Sequence, residues 1–323
     1  MGMFHDRRVS PDILRKVMAE NANQLVIQQL KQKATDLETN CDSDVIAFIG
    51  PLIPPTDNMI RDQIESLREN GKKTSTERKK LKFLVETYGG HMEPVRRIVD
   101  VLRYHYSVVD FVVPDFAFSA GTVLVMSGDA IYMDYYSVLG PIDPQIRQPD
   151  GTWGSAVGYL KKYEELVEKS KDNVITTAEM AFLLNKFDPM TLYSYEQEFK
   201  LGISLIEDWL PKYKFKNWTK TRTRQLKVTD KMRRKRAAEI GQNLSNPDLW
   251  HSHGRGIPMG KLVSKPLDIV IDDMSINQDF YEKVRTTMLE ELKVFGIKSS
   301  SPAPIDPYGA KTARKSVICR FSA

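Results

Sequence analysis

Between residues 44 and 133 the chain alternates short apolar runs with amphipathic stretches, and this limits the fold more than any other feature of the sequence. Asp44 to Gly50 is an apolar run closed by Gly and Pro and reads as a buried strand. Asp57 to Glu69 has helical spacing at Met59, Ile60, Ile64 and Leu67. Leu81 to Glu86 is a second strand, stopped by Tyr88, Gly89 and Gly90, and Glu93 to Arg103 is a helix. Val108 to Val113 is a third strand, Ala120 to Gly128 is helical or mixed, and Ala130 to Met133 is a fourth strand. Strands and helices taking turns through short connections imply a parallel sheet of right-handed βαβ units.

Outside this region the pattern is mainly helical. Ser10, Pro11 and Asp12 open an expected helix over residues 10–39. Helices are expected over 158–169, 177–185, 191–210 and 227–244, then a strand from Leu267 to Asp272 and a helix from Asp279 to Phe295. The tail from Lys298, rich in Ser and Pro, reads as flexible. The expected organisation is an N-terminal helix (1–40), an α/β core (41–169), a helical, basic insertion (170–249), a return to the core (250–275), and a C-terminal helix with a flexible tail (276–323).

Composition narrows the class. Apolar residues make up 41% and charged residues 28% of 323, which excludes a wholly disordered or collagen-like chain. Two cysteines, Cys41 and Cys319, are too few for a disulfide framework and fit a reducing, cytoplasmic setting. No start-proximal apolar segment follows Met1, so a secretory signal is not expected, and the apolar stretch from Phe116 to Gly128 is shorter than the roughly 20 residues of a membrane span. The net charge of +5 conceals a basic block: residues 211–240 hold twelve Lys or Arg against two acids, leaving −5 for the remainder. Tyr213, Phe215 and Trp218 interleave with its cations. That composition suits single-stranded nucleic acid, or equally an amphipathic segment with core aromatics and solvated charges, and no nucleic-acid-binding motif accompanies it.

Two short motifs carry chemistry. Gly89 and Gly90 follow a strand and precede a helix, and Phe118, Ser119, Ala120 and Gly121 do the same one unit later. Paired glycines allow a sharp turn with unobstructed N–H groups. A serine at a helix start has its oxygen where an oxyanion is favoured. If the two strands are adjacent, both motifs face one cleft at the strand C-terminal ends, where open α/β sheets bind ligands. Each motif also has a plain structural reading, the serine as a helix cap and the glycines as a turn.

At these residues the chain resembles a known family. Leu84 to Gly90, Val113 to Gly121, Ser127 to Asp129 and Leu139 to Pro144 are similar to the serine dehydrogenase proteinase family, which is related to signal peptide peptidase A within the Clp protease/crotonase superfamily. The likeness runs from about Asp44 to Lys169 and resumes from Trp250 to Arg255. It implies an α/β fold, a Clp protease/crotonase-like spiral of ββα units with a helical insertion and helical extensions at both ends, assembled as a homo-oligomer. It further implies Ser119 as nucleophile and the Gly90 and Ala120 amides as oxyanion donors, acting on a peptide or unfolded protein without a cofactor.

The general base is less plain. Clp proteases use a His about 25 residues beyond the serine, which falls here near Pro144, and the His residues after Ser119 are His251 and His253. Short signal peptide peptidases use a Lys about 40 residues on, where this chain has Lys161 and Lys162, with Lys162 preferred. A Ser–Lys pair works when the lysine loses its proton near neutrality. Adjacent lysines before Tyr163 also read as a solvated helix face, and they point about 100° apart on a helix. His91 follows Gly90 and can lie near the cleft beside Gly89, while His253 is the reserve base and, with Arg255, an anchor for the returning chain. His251 and His253 lack Cys or Glu at ligand spacing, so no metal is expected. Asp129 and Asp143 read as structural.

A serine peptidase is the leading reading. The alternative is a catalytically inactive assembly or binding protein of the same fold whose basic insertion recruits a partner or nucleic acid. A crotonase-like acyl-thioester enzyme is a third, opposed by a serine at the nucleophile position. No dinucleotide loop or pyridoxal phosphate site accompanies the motifs.

Overall fold

The structure is a computed structural model that describes residues 32, 35–74, 78–147, 153–294 and 317–320. In chain order it begins with helix α1 over residues 35–41, β1 (Asp44–Ile49), α2 (Thr56–Thr74), β2 (Lys80–Glu86), α3 (Met92–His105) and β3 (Val108–Val112). There follow β4 (Phe116–Ala117), α4 (Ala120–Val125), β5 (Ala130–Met133), β6 (Val138–Leu139), and the antiparallel pair β7 (Gln145–Arg147) and β8 (Trp153–Ser155). Helices α5 (Ala156–Lys171), α6 (Thr177–Lys186), α7 (Pro189–Lys212), α8 (Asp230–Leu244) and α9 (Pro247–Trp250) lead back to β9 (Ile257–Pro258). After these come α10 (Met259–Leu262), β10 (Asp272–Asp273), a 3-10 turn at Met274–Ile276, α11 (Gln278–Val294) and β11 (Val317–Arg320).

The main sheet has six strands in the order β10, β5, β3, β2, β1, β11, parallel except for β11. All six residues of β1 are buried because both faces of the sheet are covered. Alternation sends Ile46 and Phe48 into the larger core, with Ile60 and Ile64 of α2 and Ile98 of α3, while Val45, Ala47 and Ile49 face Phe280 and Val284 of α11. Phe48, Phe83 and Phe111 are fully buried on three successive strands, and truncating one to Ala would cost about 3–5 kcal/mol.

A second, smaller sheet positions the site. β4 pairs in parallel with β6, and β6 pairs antiparallel with β9. Bridges between Thr87 and Ala117 and between Leu52 and Gly90 continue the layer across the turns that leave β2 and β1. Each unit thus gives one long strand to the main sheet, one short stretch to the second layer, and a helix, which is the ββα spiral expected.

Several expectations change. The apolar run from Leu267 is not a strand: Leu267 and Ile269 are buried, but Asp268 is left-handed at φ 40° and the Ile269 N–H donates to Leu262, leaving β10 as two residues. The C-terminal tail contributes β11, which pairs antiparallel with the β1 edge. Of the helix expected over 10–39, residues 10–31, 33 and 34 lie outside the described residues, and α1 runs to residue 41. Helices α7 and α8 place Leu205, Ile206, Trp209, Ala237 and Ile240 in the same core as the strands. Among the described residues no helix is long and apolar enough to cross a membrane, and no group of three or more His, Cys, Asp or Glu could hold a metal ion.

Candidate active site

Ser119 sits between β4 and α4 with φ 53° and ψ −119°, a conformation that costs an L-residue energy. Its side chain does not cap α4. The plain structural role of a serine at this place is therefore unfilled, while the backbone pays a strain that a capping residue, with ordinary extended dihedrals, would avoid. Helix α4 has six residues, too short to supply much dipole, so any anion stabilisation here comes from individual N–H groups.

Those groups belong to the facing turn. Gly89 and Gly90 have φ of 99° and 152°. A Cβ on Gly89 would lie 2.8 Å from Ser119 Cβ and 2.7 Å from the Phe118 carbonyl oxygen, so the two turns touch at backbone level. A Cβ on Gly90 would lie 2.7 Å from the Leu52 carbonyl carbon. The Leu52 N–H donates to Gly89 and the Leu52 carbonyl accepts from His91, which fixes the turn from behind. Among the described residues the Gly90 and Ala120 N–H groups have no acceptor, whereas Gly121 N–H donates to Phe118.

Ser119 and Asp143 both leave the second sheet at the C-terminal ends of adjacent parallel strands. Thr122 ties them: its hydroxyl lies 2.8 Å from the carbonyl oxygens of both Ala117 and Gly140. Extending the β6–β9 pairing of Leu139 with Ile257 leads toward Asp143 on one strand and His253 on the other. His253 Nδ1 lies 2.9 Å from Asp143 Oδ1, with the two side chains 8% and 4% exposed. Gln145 Nε2 donates to the other oxygen, Oδ2, at 2.8 Å. With Nδ1 engaged, His253 keeps Nε2 as its remaining ring nitrogen.

The lysines lie on α5. Lys161 is 44% exposed and paired with Asp248, and Lys162 is 54% exposed and paired with Glu165 at 2.9 Å. Both are exposed on α5 and held by carboxylates. His91 is exposed at the start of α3, and His251 is exposed in the left-handed region at φ 60° after α9, apart from any metal set. Asp129 is structural: it accepts from Arg103, the Val109 N–H and Lys216.

The basic segment is tied to the core. Lys216 pairs with Asp129, Arg103 lies 3.6 Å from the Tyr213 ring centroid, and Arg233 donates to the Trp218 carbonyl. Tyr213 and Phe215 pack against the main core, which leaves these rings badly placed to stack on bases.

Sequence reasoning singled out neither Gln145 nor the contact between Asp143 and His253. A signal was present for neither: a lone carboxylate and a His 110 positions later have no local spacing to read.

The chain is similar to several known proteins. Two uncharacterized proteins of Methanocaldococcus jannaschii, MJ0137 and MJ1495, are 31% identical over 104 residues and 28% identical over 99 residues, about a third of this chain in each case (32% and 31%). The chain spans about a third of the length of these relatives, 35% and 32%. A serine-to-alanine variant of the 1510-N membrane-bound stomatin-specific protease is 13% identical, with a TM-score of 0.41 over 73% of this chain and 82% of that one. The model of one family matches residues 9–182, more than half of the sequence and both turns described above, and the chain belongs to that family, the ClpP-like SDH-type serine proteinases.

Proposed function

We infer that the protein is a serine peptidase in which Ser119 is the nucleophile, the Gly90 and Ala120 N–H groups form the oxyanion hole, and His253, oriented by Asp143, is the general base. The observation that carries this reading is Ser119 itself, held at φ 53° with its hydroxyl unused by the helix behind it and the Gly89 turn against its Cβ. His253 replaces Lys162 and Lys161 as base because it is buried and held by a carboxylate, whereas the lysines are solvated and paired.

In the first step Ser119 Oγ bonds to the scissile carbonyl carbon as its proton passes to His253 Nε2. The carbonyl π electrons move to oxygen, and the oxyanion accepts from Gly90 and Ala120. Collapse breaks the C–N bond, and the leaving amine takes the proton from His253. Water then attacks the acyl-enzyme by the same route, giving its proton to His253 and returning it to Ser119 Oγ. Asp143 holds the imidazole tautomer and stabilises its cation.

On this reading the core (41–169) supplies Ser119 and Asp143, and the returning segment (250–275) supplies His253. The substrate is a peptide or unfolded segment, no cofactor is used, and the protein is a cytoplasmic homo-oligomer. Family membership supports the assembly, as do the exposed Leu184, Met190 and Tyr193 on α6 and α7.

The test is intact-mass detection of a fluorophosphonate adduct from pH 5 to 9 on wild type, Ser119→Ala, His253→Gln and Lys162→Ala. A single adduct is expected that vanishes in Ser119→Ala, falls at least 100-fold in rate in His253→Gln, and is retained in Lys162→Ala. Loss in Lys162→Ala, with a rate still rising at pH 9, would return the base to lysine. No adduct from folded, assembled protein would leave the non-catalytic binding protein.

A further inference from the structure

The cations of the basic segment divide into two sets. The inner ones are consumed: Lys216 pairs with Asp129, Arg233 donates to the Trp218 carbonyl, and Arg236 pairs with Glu239 and donates to the carbonyls of Pro266 and Leu267. The outer ones stand on a tight hairpin over residues 219–228. There Lys220 and Lys227 bridge as an antiparallel pair, the Val228 N–H donates to Thr219 at 2.8 Å, and the Thr221 N–H donates to Leu226 at 2.9 Å. Gln225 turns the chain in the left-handed region at φ 49°. Val228 is buried and roots the hairpin, while Lys220, Arg222, Arg224, Leu226 and Lys227 are exposed.

This hairpin is built against its own charge. Residues directly opposite on an antiparallel pair share a face, where like charges repel. Lys220 and Lys227 are so placed. No Asp or Glu occurs from residue 211 to residue 229, and among the described residues Lys220, Arg224 and Lys227 meet no carboxylate. Arg222 reaches Asp268 at 3.5 Å, which sets the neighbouring loop beside the hairpin. That loop is closed by the Ile269 N–H donating to Leu262, and it carries an exposed Lys265. Leu226 on the hairpin and Val263 and Val270 in the loop are about half exposed, so apolar side chains stand in water among the cations.

We propose that the 219–228 hairpin and the loop over 262–270 form a docking face for an anionic phospholipid surface, to which the protein attaches peripherally. The inference does not depend on Ser119. Phosphate headgroups supply the counter-charge that the chain withholds from Lys220, Arg224 and Lys227, and the layer beneath them takes Leu226 and Val263 out of water. Nucleic acid would satisfy the cations alone. Tyr213 and Phe215 pack against the core, and Trp218 is half-buried with its ring 5.7 Å from that of Phe215, so these rings are not offered to bases. A purely acidic peptide would leave Leu226 and Val263 in water. Because the cations are exposed, the attraction reaches only about 10 Å at 0.1 M salt and weakens as salt rises.

The test is cosedimentation of the full-length protein with sucrose-loaded vesicles of phosphatidylcholine, with and without phosphatidylserine, at low and high salt. Folding of each variant is followed by circular dichroism. Wild type is expected to bind the phosphatidylserine vesicles at least tenfold more tightly, and to lose that preference at high salt. Lys220→Glu with Lys227→Glu should lower the binding at least tenfold. Lys171→Glu with Lys200→Glu, the same change of charge on α5 and α7, should leave it within twofold. Leu226→Ser should lower it about threefold and leave binding to an oligothymidylate unchanged. No preference for phosphatidylserine, or an equal loss in the two charge-reversed variants, overturns the proposal. Vesicle binding unmoved in Leu226→Ser, with tighter binding to the oligothymidylate or to polyglutamate at equal charge, overturns it in favour of nucleic acid or an acidic protein.

Discussion

At the residue scale, two polar groups held in costly positions differ in what the cost obtains. Ser119 accepts a positive φ and presents a hydroxyl free of local bonds, which is how strain is used at reactive sites. Lys214 is half-buried just after α7, between Tyr213 and Phe215. Burial lowers its pKa to about 8 from 10.5, against the opposing pull of Asp272, Asp110 and Asp129. Between those two values the unfolded chain binds more protons than the folded one, so this lysine makes stability rise with pH across the window. Below pH 8 its charge is a net penalty. Lys214→Met should therefore stabilise the protein at pH 7 by about 1–2 kcal/mol, and the gain should shrink toward zero as pH rises to 10.5. Denaturant midpoints of the two proteins at pH 7, 9 and 10.5 check this. A difference that is constant with pH would mean that packing, not charge, separates them.

At the element scale, legibility follows period and length. The β1, β2, β3 and β5 strands and the α2 and α3 helices were readable because four or more residues repeat a burial pattern, as with Ile46 and Phe48 against Val45 and Ala47. The β4, β6 and β9 strands have two residues each, too few for any period, yet they build the layer that carries Ser119 and meets His253. The glycine and serine turns were legible because their chemistry is local. The proposed base was not, because the contact of His253 with Asp143 depends on strand pairing across the chain and has no local signature. Helix α6 shows the opposite case, an element whose start is written in local chemistry. It buries no residue, and its start is a capping box in which Thr176 accepts from the Glu179 N–H and Glu179 accepts from the Thr176 N–H. Thr176→Ala should loosen α6 by about 1 kcal/mol. Faster amide exchange confined to residues 177–186, with an unchanged rate of Ser119 labelling, is the expected outcome, and a matching loss of labelling would show that α6 supports the site.

At the scale of the whole molecule, the chain leaves the sheets after β8, runs through α5 to α9, and returns to complete the proposed catalytic group. The Ile142 N–H donates to Leu244 at 3.1 Å, and Trp250 Nε1 donates to Asn243 at 2.7 Å, so the end of α8 holds both the Asp143 loop and the approach to His253. On the proposed mechanism two residues 110 positions apart work as one unit, and a unit has a recognisable energetic signature. With Asp143 neutralised, His253 keeps its place but loses the partner that fixes its tautomer. With His253 removed, Asp143 has nothing to orient. Asp143→Asn and His253→Gln should each lower kcat/KM by about 100-fold or more, and the double variant should be no worse than the weaker single one. The cycle is read with Ser119 titrated in each protein, so that loss of fold is separated from loss of rate. Additive losses would mean that the two side chains serve the reaction separately, and that the buried 2.9 Å contact between them is a clasp for the returning chain.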